Sequence, residues 1–212
     1  TLGLPVTTPF NDQVIVSVVL QGSGTVTGAA GYSVVTSTAT GSGSSDAQTV
    51  VLAHTVAAGD GTTLTVTATA SSPKVATALV YRGVSTAAID AYAAGSATGS
   101  ASVGTPSIST SVSGDHLVAL LGANAGPSSW KSVSSPSGLK AEASPSVGPV
   151  AAAAYDGVSL STGAAGGLYA TAASSGNLVG VLVALRPAIT SYSYDSQGNQ
   201  IGSSGSGVTT TM

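Results

Sequence analysis

The chain has 212 residues, of which only 6% are charged, and its formal net charge is −3. Its five Lys and Arg residues are too few and too scattered to neutralise a nucleic-acid backbone or an anionic membrane surface, so we expect neither partner. Because disordered chains combine low hydrophobicity with high net charge, a chain that is 42% hydrophobic should fold, and without Cys it does so without disulfides or thiolate metal sites.

Alternation of apolar and polar residues predicts strands along almost the whole chain. The predicted strands, in chain order, cover 13–20, 49–56, 62–70, 75–82, 116–121, 150–155, 167–173 and 178–185. Stretches rich in Gly, Ser and Pro separate them, and only 85–94 could hold a short helical turn. The longest apolar run, 178–185, is far shorter than the roughly 20 residues of a membrane helix and therefore predicts a buried strand.

The sequence repeats at an offset of about 103 residues. Asp12 and the strand after it align with Asp115 and its strand, and the strand that ends at Arg82 aligns with the one that ends at Arg186. The predicted fold is therefore all-β, an antiparallel β-sandwich of jelly-roll or Ig-like type, with two tandem related halves of about 100 residues. We favour two similar sandwiches packed together over one larger sandwich in which equivalent strands pair.

The repeat also sets the predicted domain boundaries. Residues 1–94 form the first β-sandwich repeat, 95–104 a linker or loop, 105–187 the second repeat, and 188–212 a C-terminal hairpin with a Ser/Gly/Thr tail. The tail either adds a strand to a neighbour's sheet edge or is a flexible terminus. No secretion signal is expected at the start, where either an initiator Met was removed or the chain is a processed piece.

No residue pattern predicts catalysis, so we expect neither an enzyme nor a bound cofactor. His54 and His116 lie in predicted strands and lack the spacing of a metal motif. Asp12, Asp115 and Asp60 stand just before strands or in a turn, where Asp carboxylates accept hydrogen bonds from nearby backbone amides. We interpret all five side chains as structural.

A calcium site and a sugar contact are the two further candidates. Calcium bound by loop oxygens at Asp60 or Asp156 is not predicted, because the acidic residues are too sparse for a high-affinity site. Trp130 is the only Trp in the chain and could stack on a sugar ring, which makes it the candidate glycan contact. We favour a structural role, in which the Trp130 side chain fills the core at the start of a strand, over the sugar contact.

Four motifs follow one another in a familiar order: Asp-x-Val-Ile-Val at 12–16, Gly-Asp-Gly at 59–61, Ala-Leu-Val-Tyr-Arg-Gly-Val at 78–84 and Val-Leu-Val-Ala-Leu-Arg-Pro at 181–187. This succession resembles β-sandwich modules of tailed-bacteriophage virion proteins and of secreted bacterial surface proteins, over about residues 5–187.

The resemblance implies a non-enzymatic structural component of a virion, such as a capsid decoration, head-fibre or minor tail protein. Its partners would be further copies of itself and other virion structural proteins. A glycan-binding surface module and a subunit of an extracellular filament are the alternatives, and both would place the chain outside the cell or on its surface.

Overall fold

The computed structural model describes residues 2–3, 11–28, 30–69, 73–125, 130–134, 138–159, 161–188, 190–194, 197, 200–205 and 208–211. Antiparallel strands and turns make up these residues, which confirms the predicted all-β class. The described residues include no helix that is long and apolar enough to cross a membrane.

The first nine strands are β1 Leu2–Gly3, β2 Gln13–Gln21, β3 Val26–Thr27, β4 Ser33–Ala39, β5 Ala47–Thr55, β6 Thr63–Leu64, β7 Thr67–Ala68, β8 Lys74–Tyr81 and β9 Val84–Gly104. The next eight are β10 Ile108–Thr110, β11 His116–Asn124, β12 Trp130–Ser134, β13 Lys140–Ala143, β14 Ser146–Val147, β15 Val150–Val158, β16 Gly163–Ala165 and β17 Tyr169–Pro187. The last three are β18 Thr190–Tyr194, β19 Gln200–Gly205 and β20 Val208–Thr211.

Two large sheets pack face to face. The first has the strand order β4-β5-β2-β8, and the second contains the order β17-β11-β15-β13, with β12 and β9 also paired to β17. The sequence repeat aligns β2 with β11, β5 with β15 and β8 with β17. Equivalent strands therefore occupy equivalent positions in two separate sheets. The predicted domain boundaries stay a prediction.

Buried apolar side chains fill the space between the two sheets and cover their outer faces. Between the sheets, one cluster joins Ile15 and Val51 of the first sheet to Leu120 and Val181 of the second. On the outer faces, further clusters pack against residues from the short strands and loops, among them Leu64 on the first sheet. Because both faces of the large sheets are covered, their central strands are nearly continuous apolar runs instead of alternating ones.

Strand β9 is the longest strand of the structure and is 21 residues long. It begins directly after β8 and pairs with β17 from Val84, opposite Pro187, to Gly104, opposite Tyr169, with several bulges. The chain of the first half thus continues as the outer strand of the second half's sheet.

Three stretches differ from the strand predictions. Residues 85–94, where a helical turn was considered, and 95–104, predicted as a linker or loop, together lie in β9, because pairing along β17 outweighs the weak strand preference of Ala and Gly. The predicted strand 62–70 is divided into β6 and β7, which pair with β1 and β3 respectively. The predicted strands 167–173 and 178–185 form the single bulged strand β17.

The C-terminal segment forms its own antiparallel sheet in the order β18-β19-β20. Strands β18 and β19 pair in the stretch where the sequence predicts a hairpin. Strand β20 pairs with β19 in the stretch predicted as a tail.

Candidate functional site

One group of connected polar side chains in the first half surrounds His54 on β5. The His54 Nε2 atom lies 2.6 Å from Asp60 Oδ2, and Nδ1 lies 3.0 Å from the Gly31 carbonyl oxygen. The ring of Tyr32 stacks on the imidazole at a centroid distance of 4.5 Å. Gly31 has a φ of 87°, and a Cβ there would lie 2.8 Å from His54 Cε1, so this close approach requires glycine.

The hydrogen-bond partners of His54 determine what its ring can do. The Gly31 carbonyl oxygen and the Asp60 carboxylate each lie within hydrogen-bond distance of one ring nitrogen. Asp60 Oδ2 also accepts from the Ala57 amide at 2.7 Å, and the Ala57 and His54 hydrogen bonds lower the pKa of Asp60. Both ring nitrogens are thus in contact with oxygens of the protein itself, which hold the imidazole in one orientation.

An open groove of about 350 Å³ adjoins His54, between the first sheet and the start of β9. Its polar lining includes Gln13, Ser33, Thr55 and Thr86. The Ser33 hydroxyl donates to the Ala53 carbonyl oxygen at 3.4 Å, so it is directed along the sheet and not towards a base. The groove has neutral hydrogen-bonding groups beside a single imidazole.

A second polar cluster fixes β9 to the end of β17. Asp90 of β9 accepts hydrogen bonds from the Ser111 hydroxyl at 2.5 Å, the Ser111 amide at 2.6 Å and Arg186 Nε at 2.7 Å. Its side chain is only 1% exposed. The Asp115 side chain lies against Asp90 and is fully buried. We name Asp90, Ser111, Asp115 and Arg186 the carboxyl cluster.

The pKa values of the two carboxyl groups in the carboxyl cluster are shifted in opposite directions. Burial opposes the ionisation of Asp90, but hydrogen bonds from Ser111 and Arg186 lower its pKa well below its usual range. Burial and the neighbouring Asp90 carboxylate raise the pKa of Asp115 to about 6. The Asp115 oxygens accept no hydrogen bond from the described residues, so a protonated Asp115 that donates to Asp90 fits the site better than an ionised one.

The first half contains a simpler counterpart of the carboxyl cluster. Asp12 and Arg82, which the repeat aligns with Asp115 and Arg186, form an ion pair of 3.4 Å. The prediction that the Asp115 carboxylate caps a turn is therefore wrong, because its oxygens accept no hydrogen bond from the described residues and lie against Asp90. Turn capping by Asp12 stays a prediction. The matched Asp and Arg positions of the repeat were the signal for this pairing. Asp60 does accept from a turn amide, as predicted.

The remaining candidates do not converge on a metal site. His116 begins β11, and its ring centroid lies 6.0 Å from that of Tyr81. Burial and the nearby Asp156 carboxylate raise the pKa of Tyr81, and burial and Asp156 also raise the pKa of Glu142. Within the part of the chain that the structure describes, no three acidic or histidine side chains are grouped to hold a metal ion.

Trp130, the candidate glycan contact, packs against the outer core of the second half. It lies on β12 opposite Ala172, and its Nε1 is enclosed with no hydrogen-bond partner among the described residues. By contrast, Tyr169 is 65% exposed, and its ring lies over Gly104, where a Cβ would come within 2.9 Å. Sequence reasoning missed Tyr169, because only the pairing of β9 with β17 shows that its ring rests on a glycine.

No protein-family model, curated protein or solved structure matches this chain.

The carboxyl cluster predicts an unusual dependence of stability on pH. Because the pKa of Asp115 in the folded chain lies above the usual value of about 3.9, the folded chain binds more protons between these values, and stability falls as pH rises from about 4 through about 6. Asp115→Asn supplies a neutral donor to Asp90 at every pH. We expect this variant to be more stable than the parent at pH 7.5, by on the order of 1–3 kcal/mol, and nearly equal to it at pH 4.5.

Urea denaturation at both pH values measures this difference. The matched control is Asp12→Asn, which removes a charge from the equivalent Asp12–Arg82 pair and should give no gain in stability at pH 7.5. A loss of stability in Asp115→Asn at pH 7.5 would contradict the assignment of the proton to Asp115.

Proposed function

We propose that this protein is a non-enzymatic structural component of a bacteriophage virion, namely a capsid decoration, head-fibre or minor tail protein. The observation that carries the proposal is β9, which leaves the first half and completes the sheet of the second half over 21 residues. Addition of a strand to an open sheet edge is a general way in which β-proteins join to one another. Here the same contact joins two like sheets of one chain.

The chemistry of the molecule supports an assembly role. Both nitrogens of the His54 ring contact protein oxygens, and the hydrogen bonds of the carboxyl cluster attach β9 to Ser111 and to the end of β17, so both groups of polar side chains hold elements of the fold together. Only 6% of the residues are charged, so copies that approach each other meet little electrostatic repulsion. The resemblance of residues 5–187 to virion sandwich modules supports the virion setting.

Particles purified from the source lysate on a density gradient test this proposal. Quantitative mass spectrometry should find the chain at a fixed copy number relative to the major capsid protein, and a high-salt wash should not remove it. A chain that is abundant in the lysate but missing from intact particles would overturn the virion role.

A glycan-binding surface is the second candidate, and Tyr169 is the observation that favours it. Its exposed ring is flanked by Gly104 on one side and by Ser134 of β12 on the other, so an aromatic face stands beside a hydroxyl group. If the parent chain binds on a glycan array, Tyr169→Ala should lose the signal and Trp130→Ala should keep it. An array without signal for the parent chain removes this candidate.

A further inference from the structure

The groove beside His54 opens into the space between the two sheets. Side chains of successive residues in a strand point to opposite faces, so Ala53 and Thr55 lie on one face of β5 and His54 lies on the other. Ala53 belongs to the cluster between the sheets, which makes its face the inner one. We name this space the β5–β9 groove, and its lining includes Gln13, Ser33 and Thr55 of the first sheet and Thr86, Ala88 and Ile89 of β9.

The Gln13 side chain retains a hydrogen-bond donor for a ligand in the groove. Gln13 is only 3% exposed, and its Oε1 accepts a hydrogen bond from the Thr55 hydroxyl at 2.9 Å. In the described part of the chain, nothing accepts a hydrogen bond from its Nε2, although a side-chain amide nitrogen can donate two. This nitrogen is not enclosed, in contrast to the Thr49 hydroxyl. Because buried polar groups are normally paired, an almost buried amide that faces an open groove points to a ligand with an acceptor oxygen.

Three hydroxyl groups line the same groove. Thr55 Oγ1 donates to Gln13 and keeps its lone pairs for an incoming donor. The Ser33 hydroxyl reaches the Ala53 carbonyl oxygen only at 3.4 Å, so a closer acceptor would replace this contact. Thr86, on the opposite wall, adds a third hydroxyl group. The groove therefore offers several uncharged donors and acceptors.

The lining also selects the charge of the ligand. Among the described residues that line the groove there is no Asp, Glu, Lys or Arg, and the nitrogens of the His54 ring already contact Gly31 and Asp60. A charged ligand would lose hydration in the groove without gaining a partner of opposite charge. The β5–β9 groove therefore favours a neutral ligand.

Shape and size narrow the ligand further. Ala88 and Ile89 give the groove an apolar surface beside its hydroxyl and amide groups. A sugar ring has the matching surfaces, with hydroxyl groups around its edge and C–H groups on its faces. The groove volume of about 350 Å³ is near the lower end for small-molecule sites, which span roughly 300–1,000 Å³, so it suits a single ring.

We propose that the β5–β9 groove binds one neutral sugar unit. Ring hydroxyl oxygens accept from Gln13 Nε2 and exchange hydrogen bonds with Ser33 and Thr86, while a C–H face of the ring packs on Ala88 and Ile89. The inference goes beyond the proposed virion role and does not depend on it. An open groove with a few neutral contacts should bind with a Kd of about 1–10 mM. Binding that weak is lost when a glycan array is washed, so the array reports on the Tyr169 surface and not on this groove.

Nuclear magnetic resonance of the full chain with free sugars tests the proposal. Glucose, galactose, mannose and N-acetylglucosamine are each titrated to about 50 mM, a range that brackets the expected Kd. At least one of them should shift the side-chain amide signals of Gln13 in a saturable way. Glucuronate, which carries a charge on the same ring, should bind at least fivefold more weakly than glucose. If no sugar shifts the Gln13 signals, or if glucuronate binds as well as the neutral sugars, the proposal is overturned.

Two variants identify the groove as the site. Gln13→Met removes the amide at nearly constant volume and should weaken binding at least fivefold. Because Gln13 is buried, the exposed double variant Ser33→Ala/Thr86→Val is a second test that leaves the core intact, and it should weaken binding at least threefold. Unchanged binding in the double variant would overturn the proposal, whether or not Gln13→Met folds.

The control variants lie in the second half. Ser132→Ala removes an exposed strand hydroxyl, and Tyr169→Ala removes the exposed ring of the glycan candidate surface. Both should bind the free sugar as the parent chain does, and a loss in Tyr169→Ala would place the sugar there instead of in the groove. The particle experiment is independent of these results: a chain missing from virions that still binds sugar through Gln13 would lose the proposed function and keep this site.

Discussion

Leu120→Ala should lower the free energy of unfolding by about 2–5 kcal/mol, as expected for removal of a fully buried leucine side chain. Leu120 is 1% exposed and lies between the two sheets, in the cluster that also contains Ile15, Val51 and Val181. Because side chains from both halves share this cluster, the loss should destabilise both sheets together. Urea denaturation should therefore show one transition, shifted to lower urea concentration.

Two probes distinguish joint from separate unfolding. Fluorescence of Trp130 reports on the second half, and far-ultraviolet circular dichroism reports on both halves. The control Val34→Ala, at a site that is 55% exposed, should change stability by no more than about 0.5 kcal/mol. Different transition midpoints from the two probes would contradict a shared core.

Gly122→Ala should cost about 1–3 kcal/mol, because it inserts a methyl group into a close contact between the two sheets. A Cβ at Gly122 would lie 2.2 Å from Thr49 Oγ1 and 3.0 Å from the Val19 methyl groups. These neighbours belong to the central strands of the first sheet, so the added atom must push the sheets apart. Thermal denaturation measures the loss.

The double variant Gly122→Ala/Thr49→Ala tests the cause of that loss. The Thr49 hydroxyl is buried and has no hydrogen-bond partner among the described residues, so its removal costs little and frees space. The double variant should be more stable than Gly122→Ala alone. Strictly additive losses would show that the clash with Thr49 is not the cause.

The central strands could be predicted from the sequence, and several edge strands could not. Strands β2, β5, β11 and β15 each begin within two residues of the predicted start, because both of their faces are mostly buried and their residues are mostly apolar. Alternation of apolar and polar residues did not predict the edge strands β4 and β13. Their many exposed polar side chains resemble those of a loop, and only pairing with β5 and β15 makes them strands.

The polar clusters were predictable only in part. Local spacing predicted that Asp60 would bind a turn amide, and the repeat could have paired Asp12 with Arg82. The contact of Asp90 with Arg186 depends on β9 reaching a strand almost 100 residues later in the chain. A contact at that separation has no local sequence signal, because it follows from the tertiary arrangement alone.

The long pairing of β9 with β17 has a consequence for the newly made chain. During synthesis from the N-terminus, β9 leaves the ribosome well before its partner β17, so β9 is at first unpaired. Its second half, 95–104, consists of Gly, Ala, Ser, Thr and a single Val. An unpaired strand of small and polar residues has little tendency to associate with other nascent chains. The composition that prevented the prediction of a strand in this segment thus also keeps the segment from aggregating before β17 is synthesised.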